Sequence, residues 1–146
     1  MKIFLDTSSL VKLYHRESDT AELERMFSTI KVTEIFLAEI SKIEFASTIW
    51  KKVRTKEITD TQAQKTLDLF ESDFTKYSFV ATSSVIIEQA KILCSKYGLI
   101  GLRTLDSIQL ATSIKLLTEV GIFFTSDKLL KSLFGAEGLP TEVSLH

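Results

Sequence analysis

The sequence predicts an α/β fold in which a parallel sheet is covered by helices on both faces. Short, mostly apolar runs of strand length alternate with stretches of helical periodicity. Runs that are apolar on successive residues suit strands buried on both sides. Two of these runs end in a carboxylate and small hydroxyls, Asp6-Thr7-Ser8-Ser9 and Thr125-Ser126-Asp127. Open α/β sheets bind ligands beyond such carboxyl ends.

Taken in order, Lys2–Leu5 is the first strand, and it delivers Asp6 to a helix marked by Leu10, Val11, Leu13 and Tyr14. An Asp before a helix also serves as its cap, so Asp6 alone reads as a cap as readily as a site residue. Leu23, Met26, Phe27 and Ile30 space a second helix over 18–30, with Ser18 or Asp19 as cap. Thr33–Leu37 reads as strand two and Ala38–Arg54 as a long helix. Its closing run Lys51-Lys52-Val53-Arg54 suits the negative end of the helix dipole better than an RNA patch. Thr59-Asp60-Thr61 caps a helix carrying Ala63, Leu67, Phe70 and Phe74. Phe79–Thr82 is the third strand. Ser83 or Ser84 caps a helix over Val85–Tyr97, ended by Gly98 in the left-handed conformation. Thr104 caps a helix over Leu105–Glu119, and Gly121 follows. Ile122–Thr125 is a strand, Asp127 opens a helix through Phe134, and Thr141–Leu145 is expected as an edge strand.

The 146 residues suit one domain, 1–146, with one core. With 45% apolar and 25% charged residues the composition is that of a globular protein. No run is long enough to span a bilayer and no signal-peptide core is present, so a cytoplasmic location is expected. The single cysteine, Cys94, leaves no internal disulfide and reads as a structural thiol. A net charge of −1 supplies no basic field, so a polyanion would be held by a local patch or through metal. No glycine-rich loop follows the first strand, which disfavours dinucleotide binding. Trp50, Phe70 and Phe74 are assigned to the core ahead of any partner surface.

Four carboxylates are the candidate site. Asp6 and Asp127 end strands that emerge on one sheet edge if both are parallel. Glu44 shares a helical stripe with Leu37, Ile40 and Ser47, with Glu39 as its rival nearer the helix start. Asp106 begins an inward stripe continued by Leu110, Ser113 and Leu117. Asp6, Asp106 and Asp127 each have a bland reading as a cap or dipole partner, whereas Glu44 in an apolar stripe must snorkel, pair or bind a cation. Together they need more, because two unit charges 4 Å apart repel by roughly 4 kcal/mol at an effective dielectric of 20. No Lys or Arg of these motifs is placed to neutralise them, so a divalent cation or raised pKa values are required. All-oxygen donors suit Mg²⁺ or Mn²⁺, with Thr7, Ser8 and Ser126 expected to orient ligands or waters. One Cys and two isolated His, His15 and His146, argue against zinc.

Four segments now resemble the PIN-domain nucleases: Asp6-Thr7-Ser8-Ser9-Leu10-Val11-Lys12-Leu13-Tyr14, Ser41-Lys42-Ile43-Glu44-Phe45-Ala46-Ser47, Leu102-Arg103-Thr104-Leu105-Asp106-Ser107-Ile108-Gln109-Leu110-Ala111 and Phe124-Thr125-Ser126-Asp127. The resemblance is to the VapC-like toxins of prokaryotic toxin–antitoxin pairs. It implies an α/β/α sandwich around about five parallel strands, Mg²⁺-dependent RNA cleavage, a homodimer and a small antitoxin partner. It maps the family's acidic positions onto Asp6, Glu44, Asp106 and Asp127. The segment Gly98–Gly101 is longer than the family's usual turn. No substrate track is evident, and Lys12 and Arg103 are assigned to solvated surface. The alternatives are a PIN-fold protein that processes RNA outside a toxin role or only binds a partner, and an aspartyl-phosphate phosphotransferase. The last lacks the second Asp it needs, since Ser8 stands two residues after Asp6.

Overall fold

The computed structural model describes residues 1–16 and 20–142. Among them, four strands form one sheet: β1 (Lys2–Leu5), β2 (Glu34–Ala38), β3 (Tyr77–Val80) and β4 (Ile122–Phe124), in the order β3-β2-β1-β4. All pairings are parallel, with Ile3 opposite Ile35 on one side and Ile122 on the other. β1 therefore lies inside the sheet and β4 on its edge. The helices are α1 (Thr7–Tyr14), α2 (Thr20–Thr29), α3 (Ser41–Arg54), α4 (Asp60–Ser72), α5 (Ser84–Tyr97), α6 (Thr104–Lys115) and α7 (Lys128–Ala136).

Successive strand residues point to opposite faces. Phe4, Phe36 and Phe123 enter one core, with Ile86 and Leu93 of α5, Leu110 of α6 and Phe134 of α7. Ile3, Leu5, Leu37, Ile122 and Phe124 enter the other, with Leu10 of α1, Leu23 of α2, Phe45 of α3 and Phe70 of α4. Both faces bury large side chains, each stabilising by about 1.5–3 kcal/mol, so helices are held on both sides. This is the expected three-layer α/β/α sandwich with four strands instead of about five. Of the expected edge strand, Thr141 and Glu142 are not extended into the sheet, and 143–145 lie outside the described residues. The Pro140 carbonyl nevertheless accepts from the Phe123 N–H (2.8 Å), covering part of the β4 edge.

Boundaries moved where pairing overrode local pattern. Ala38 belongs to β2, opposite Val80, and α3 starts only at Ser41 after a turn. The third strand is Tyr77–Val80 instead of Phe79–Thr82, because its register is set by β2, with Ile35 opposite Tyr77. Gly98 is right-handed (φ −60°) and opens a 3-10 turn, Gly98–Ile100; the left-handed residue is Gly101 (φ 106°). α6 begins at Thr104 without a side-chain cap and ends at Lys115, short of Glu119. α7 continues through Gly135 to Ala136. The cap expected at Ser18 or Asp19 lies outside the described residues.

An aromatic cluster anchors the far end of α1. The Tyr14 ring meets Phe45 and Phe70 edge-on, with centroids 5.3 and 5.5 Å away. Its hydroxyl donates to Asp73 (2.8 Å) and lies 2.5 Å from the Tyr77 hydroxyl. α1 is thus pinned at its C-terminus, and its N-terminus is left to carry the site.

Candidate active site

The chain leaves β1 toward β2 and β3, then returns to β4 on the other side of β1. The border between β1 and β4 is therefore the topological switch point. α1 departs to one face of the sheet and α7 to the other, which opens a crevice beyond the strand ends. A cleft of about 270 Å³ lies there, lined by Asp6, Glu44, Asp106 and Asp127 together with Thr7, Ser8 and Gln109. All four sequence-predicted carboxylates meet in it. They come from four elements: Asp6 and Asp127 from strand ends, Glu44 from the layer containing α3, Asp106 from the opposite layer containing α6.

Asp6 is 4% exposed and caps α1, its Oδ1 accepting from the Ser9 N–H (2.9 Å). Ser8 Oγ donates to both of its oxygens (2.8 and 2.9 Å), and Thr125 Oγ1 donates to Oδ2 (2.5 Å). Burial pushes the Asp6 carboxyl up to about 6, against the opposing pull of these hydrogen bonds. Asp127 caps α7, accepting from the Leu130 N–H (2.7 Å), and is exposed. Glu44 Oε1 accepts from Thr7 Oγ1 (3.1 Å) and from Gln109 Nε2 (2.9 Å). Asp106 is held above the ordinary carboxylate range by burial, then by the negative charges of Asp127 and Glu44, with Arg103 opposing. No ion pair among the described residues neutralises any of the four.

The helical stripes were only partly as expected. In α3 the buried stripe is Ser41, Phe45 and Ile49, because Leu37 and Ile40 precede the helix and Ser47 is exposed. Glu44 lies on its flank, facing the cleft beside Thr48. In α6, Leu110 and Ser113 are buried, but Leu117 is 42% exposed beyond the helix end. Thr7 and Ser8 hold carboxylates directly. Ser126 acts through its backbone, whose N–H donates to Ser8 Oγ (2.9 Å), while its hydroxyl accepts from Lys12. Lys12 is 5% exposed, so its assignment to solvated surface is corrected. Its aliphatic stem is enclosed where α1 passes the β4 end. Sequence reasoning missed Thr125, Ser41 and Gln109. Gln109 left a readable signal, a long polar side chain among Ile108, Leu110 and Ala111, which has to find partners when buried.

The donor set suits a hard divalent cation: oxygen ligands only, and an Asp106 carboxyl raised by burial and then by the negative charges of Asp127 and Glu44. As the side chains stand, no three acidic, histidine or cysteine residues among those described group tightly enough to hold an ion between them. Mg²⁺ does not require that. It keeps several waters and takes one or two carboxylates. A water occupies about 30 Å³ in the liquid, so the cleft has room for a partly hydrated ion.

Among solved structures the chain is similar to the VapC20 toxin of Mycobacterium tuberculosis, described as cleaving the sarcin–ricin loop. The TM-score is 0.71 at 15% identity, covering 98% of this chain and 99% of that one. It is also similar to a toxin–antitoxin complex from Klebsiella pneumoniae (TM-score 0.62, 17% identity, 97% and 96% covered). A third is VapBC2 of Rickettsia felis bound to a DNA fragment from its promoter (TM-score 0.58, 16% identity, 90% and 92% covered). At these identities the likeness is one of fold. No curated protein matches the sequence. The model of the PIN domain family matches residues 3–133, which include every residue assigned to the cleft. The chain belongs to the PIN domain family.

Proposed function

We propose that the protein is a Mg²⁺- or Mn²⁺-dependent endoribonuclease that hydrolyses RNA phosphodiester bonds. One observation carries the reading: four carboxylates from four separate elements line a single cleft at the switch point, with no cation among the described residues paired to them. Left bare, that charge repels a phosphodiester; a structural role would have paired or dispersed it.

Asp6 and Asp106 are the main metal ligands, directly or through water, and Glu44 and Asp127 complete the site. A bound divalent ion supplies Lewis-acid stabilisation of the phosphodiester and lowers the pKa of water. Ser8, Ser9 and Thr125 hold Asp6 in one orientation. Thr7 and Gln109 hold Glu44, placed to orient the attacking water or take its proton. The fold likeness to toxins, two of them in toxin–antitoxin assemblies, supports a role as the toxin of such a pair controlled by an antitoxin protein; the homodimer implied by the sequence resemblance is part of the same proposal.

The test is cleavage of total RNA by the purified protein with Mn²⁺, Mg²⁺ or EDTA, alongside Asp6→Asn and Asp106→Asn. Cleavage that needs the metal and is lost in both variants is expected. Cleavage that persists in both, with the fold intact, would sink the assignment. The spread of the four acids also favours a second reading, a partner-binding module without turnover. A calorimetric titration showing no heat with either metal would select it.

A further inference from the structure

Gln109 is 2% exposed and reaches across the strand ends from one helical layer to the other. Its Nε2 lies 2.9 Å from Glu44 Oε1 and 3.1 Å from both Thr7 Oγ1 and Ser41 Oγ. Thr7 and Ser41 lie 3.0 Å apart, and Thr7 donates to Glu44 Oε1 (3.1 Å). One set of protons satisfies every contact. Ser41 donates to Thr7, Thr7 donates to Glu44, and the two amide protons of Gln109 go to Glu44 and to the Ser41–Thr7 pair. Each donation runs toward the same carboxylate oxygen. Oε2 of Glu44 takes none of these bonds.

The other end of the amide shows what this arrangement gives up. Gln109 Oε1 is buried with no partner among the described residues. An unsatisfied buried acceptor is unfavourable, but turning the amide over would set its oxygen against a carboxylate and withdraw the N–H donor from Glu44. The flipped oxygen would lie against the Glu44 carboxylate oxygen and the Thr7 hydroxyl, whose proton already goes to Glu44; only Ser41 could turn its proton toward it. The charge of Glu44 therefore sets the amide orientation, at the expense of the Gln109 carbonyl.

We propose that Gln109 is a positioning residue of the site: by fixing, with Thr7, one oxygen of Glu44 from the opposite helical layer, it presents the other to the divalent cation. This rests on the metal-dependent reading above, and the test separates the two. Mn²⁺ binding is measured by calorimetry on the purified wild type, Gln109→Met, Glu44→Gln and the double variant, with thermal melts to confirm folding. Methionine keeps length and volume and removes the donors. Gln109→Met is expected to weaken Mn²⁺ binding about 10–100-fold, as outer partners of metal ligands do. Added to Glu44→Gln it should cost almost nothing more, since its effect passes through Glu44.

Unchanged binding in Gln109→Met, or a full additive loss in the double variant, would overturn the proposal while leaving the nuclease reading intact. No Mn²⁺ heat in the wild type would instead remove the metal reading on which it stands. If Gln109→Met fails to fold, Ser41→Ala carries the test. It removes one anchor of the amide without touching Glu44, and about a fivefold weakening is expected from one neutral hydrogen bond. No weakening there would overturn the proposal.

Discussion

The ends of β1 and β4 are built alike. Each strand leads into an Asp that caps the next helix, Asp6 directly after β1 and Asp127 three residues past β4, with side-chain bonds of 2.9 Å to the Ser9 N–H and 2.7 Å to the Leu130 N–H. Their surroundings differ. Asp6 ends an interior strand, is enclosed by both neighbours and by Ser8 and Thr125, and has its carboxyl pushed up to about 6. Asp127 ends an edge strand and stays exposed. The same helix cap therefore yields one carboxylate that is buried and costly to ionise, Asp6, and one that stays exposed, Asp127. A cation bound beside Asp6 would offset that burial cost, so metal-dependent activity should depend chiefly on Asp6.

The largest expected effect is catalytic. Asp6→Asn keeps the cap and removes the charge, and should lower metal-dependent cleavage by at least about a thousandfold, roughly 4 kcal/mol of barrier. Asp127→Asn, measured in the same assay, should lose far less, on the order of tenfold. Equal losses would break the contrast between the two ends.

Next comes stability in EDTA. The folded-state value near 6 lies above the ordinary 3.8, so the folded chain binds the Asp6 proton more tightly than the unfolded one. This stabilising contribution is fully present below about pH 4 and is lost as pH rises toward about 6. The shift of about two units corresponds to about 3 kcal/mol. Asp6→Asn should therefore melt several degrees above wild type at pH 7.5, at roughly 2–4 °C per kcal/mol, and the gap should close by pH 4. Asp127→Asn should change stability by less than about 0.5 kcal/mol at either pH. Melts of the three proteins at both pH values decide it, and a pH-independent gap for Asp6→Asn would refute the electrostatic account.

A smaller effect isolates the shared role. Asp127→Ala loses the cap and should cost about 1 kcal/mol where Asp127→Asn costs little. The smallest concerns the side chain of the β4 end that bonds Asp6 directly. Thr125→Val removes the hydroxyl bond from the β4 end to Asp6, so the Asp6 carboxyl should titrate higher than in wild type. Carboxyl-carbon NMR titration reads this directly, and an unmoved curve would mean that the two ends are electrostatically independent.

These contrasts show which parts of the molecule were legible beforehand. Strands β1 and β4 and helices α1, α3, α5 and α7 are marked by apolar runs, caps and periodicity that each lie within a few residues. β3 was misplaced by two residues because Tyr77-Ser78 carries no strand signal of its own; the Tyr77 side chain packs beside Phe70 (5.9 Å) once β2 has set the register. Gly98 attracted a left-handed assignment that belongs to Gly101, since either glycine satisfies the local pattern and only the 3-10 turn between them distinguishes the two. The stripe that the sequence suggests for Glu44 runs through Leu37 and Ile40, but both precede α3, and Leu37 lies in β2.

The sequence by itself determined the α/β alternation, the two Asp caps and the identity of the four acids, because each is written in residues adjacent along the chain or one helical turn apart. Only the tertiary structure decided which Asp is buried, that Lys12 is enclosed, and that Gln109 spans two layers to reach Glu44. Those outcomes depend on strand order and on contacts between residues as far apart as 7 and 109, and burial, which sets the energy of a charge, is a property of the whole packed chain.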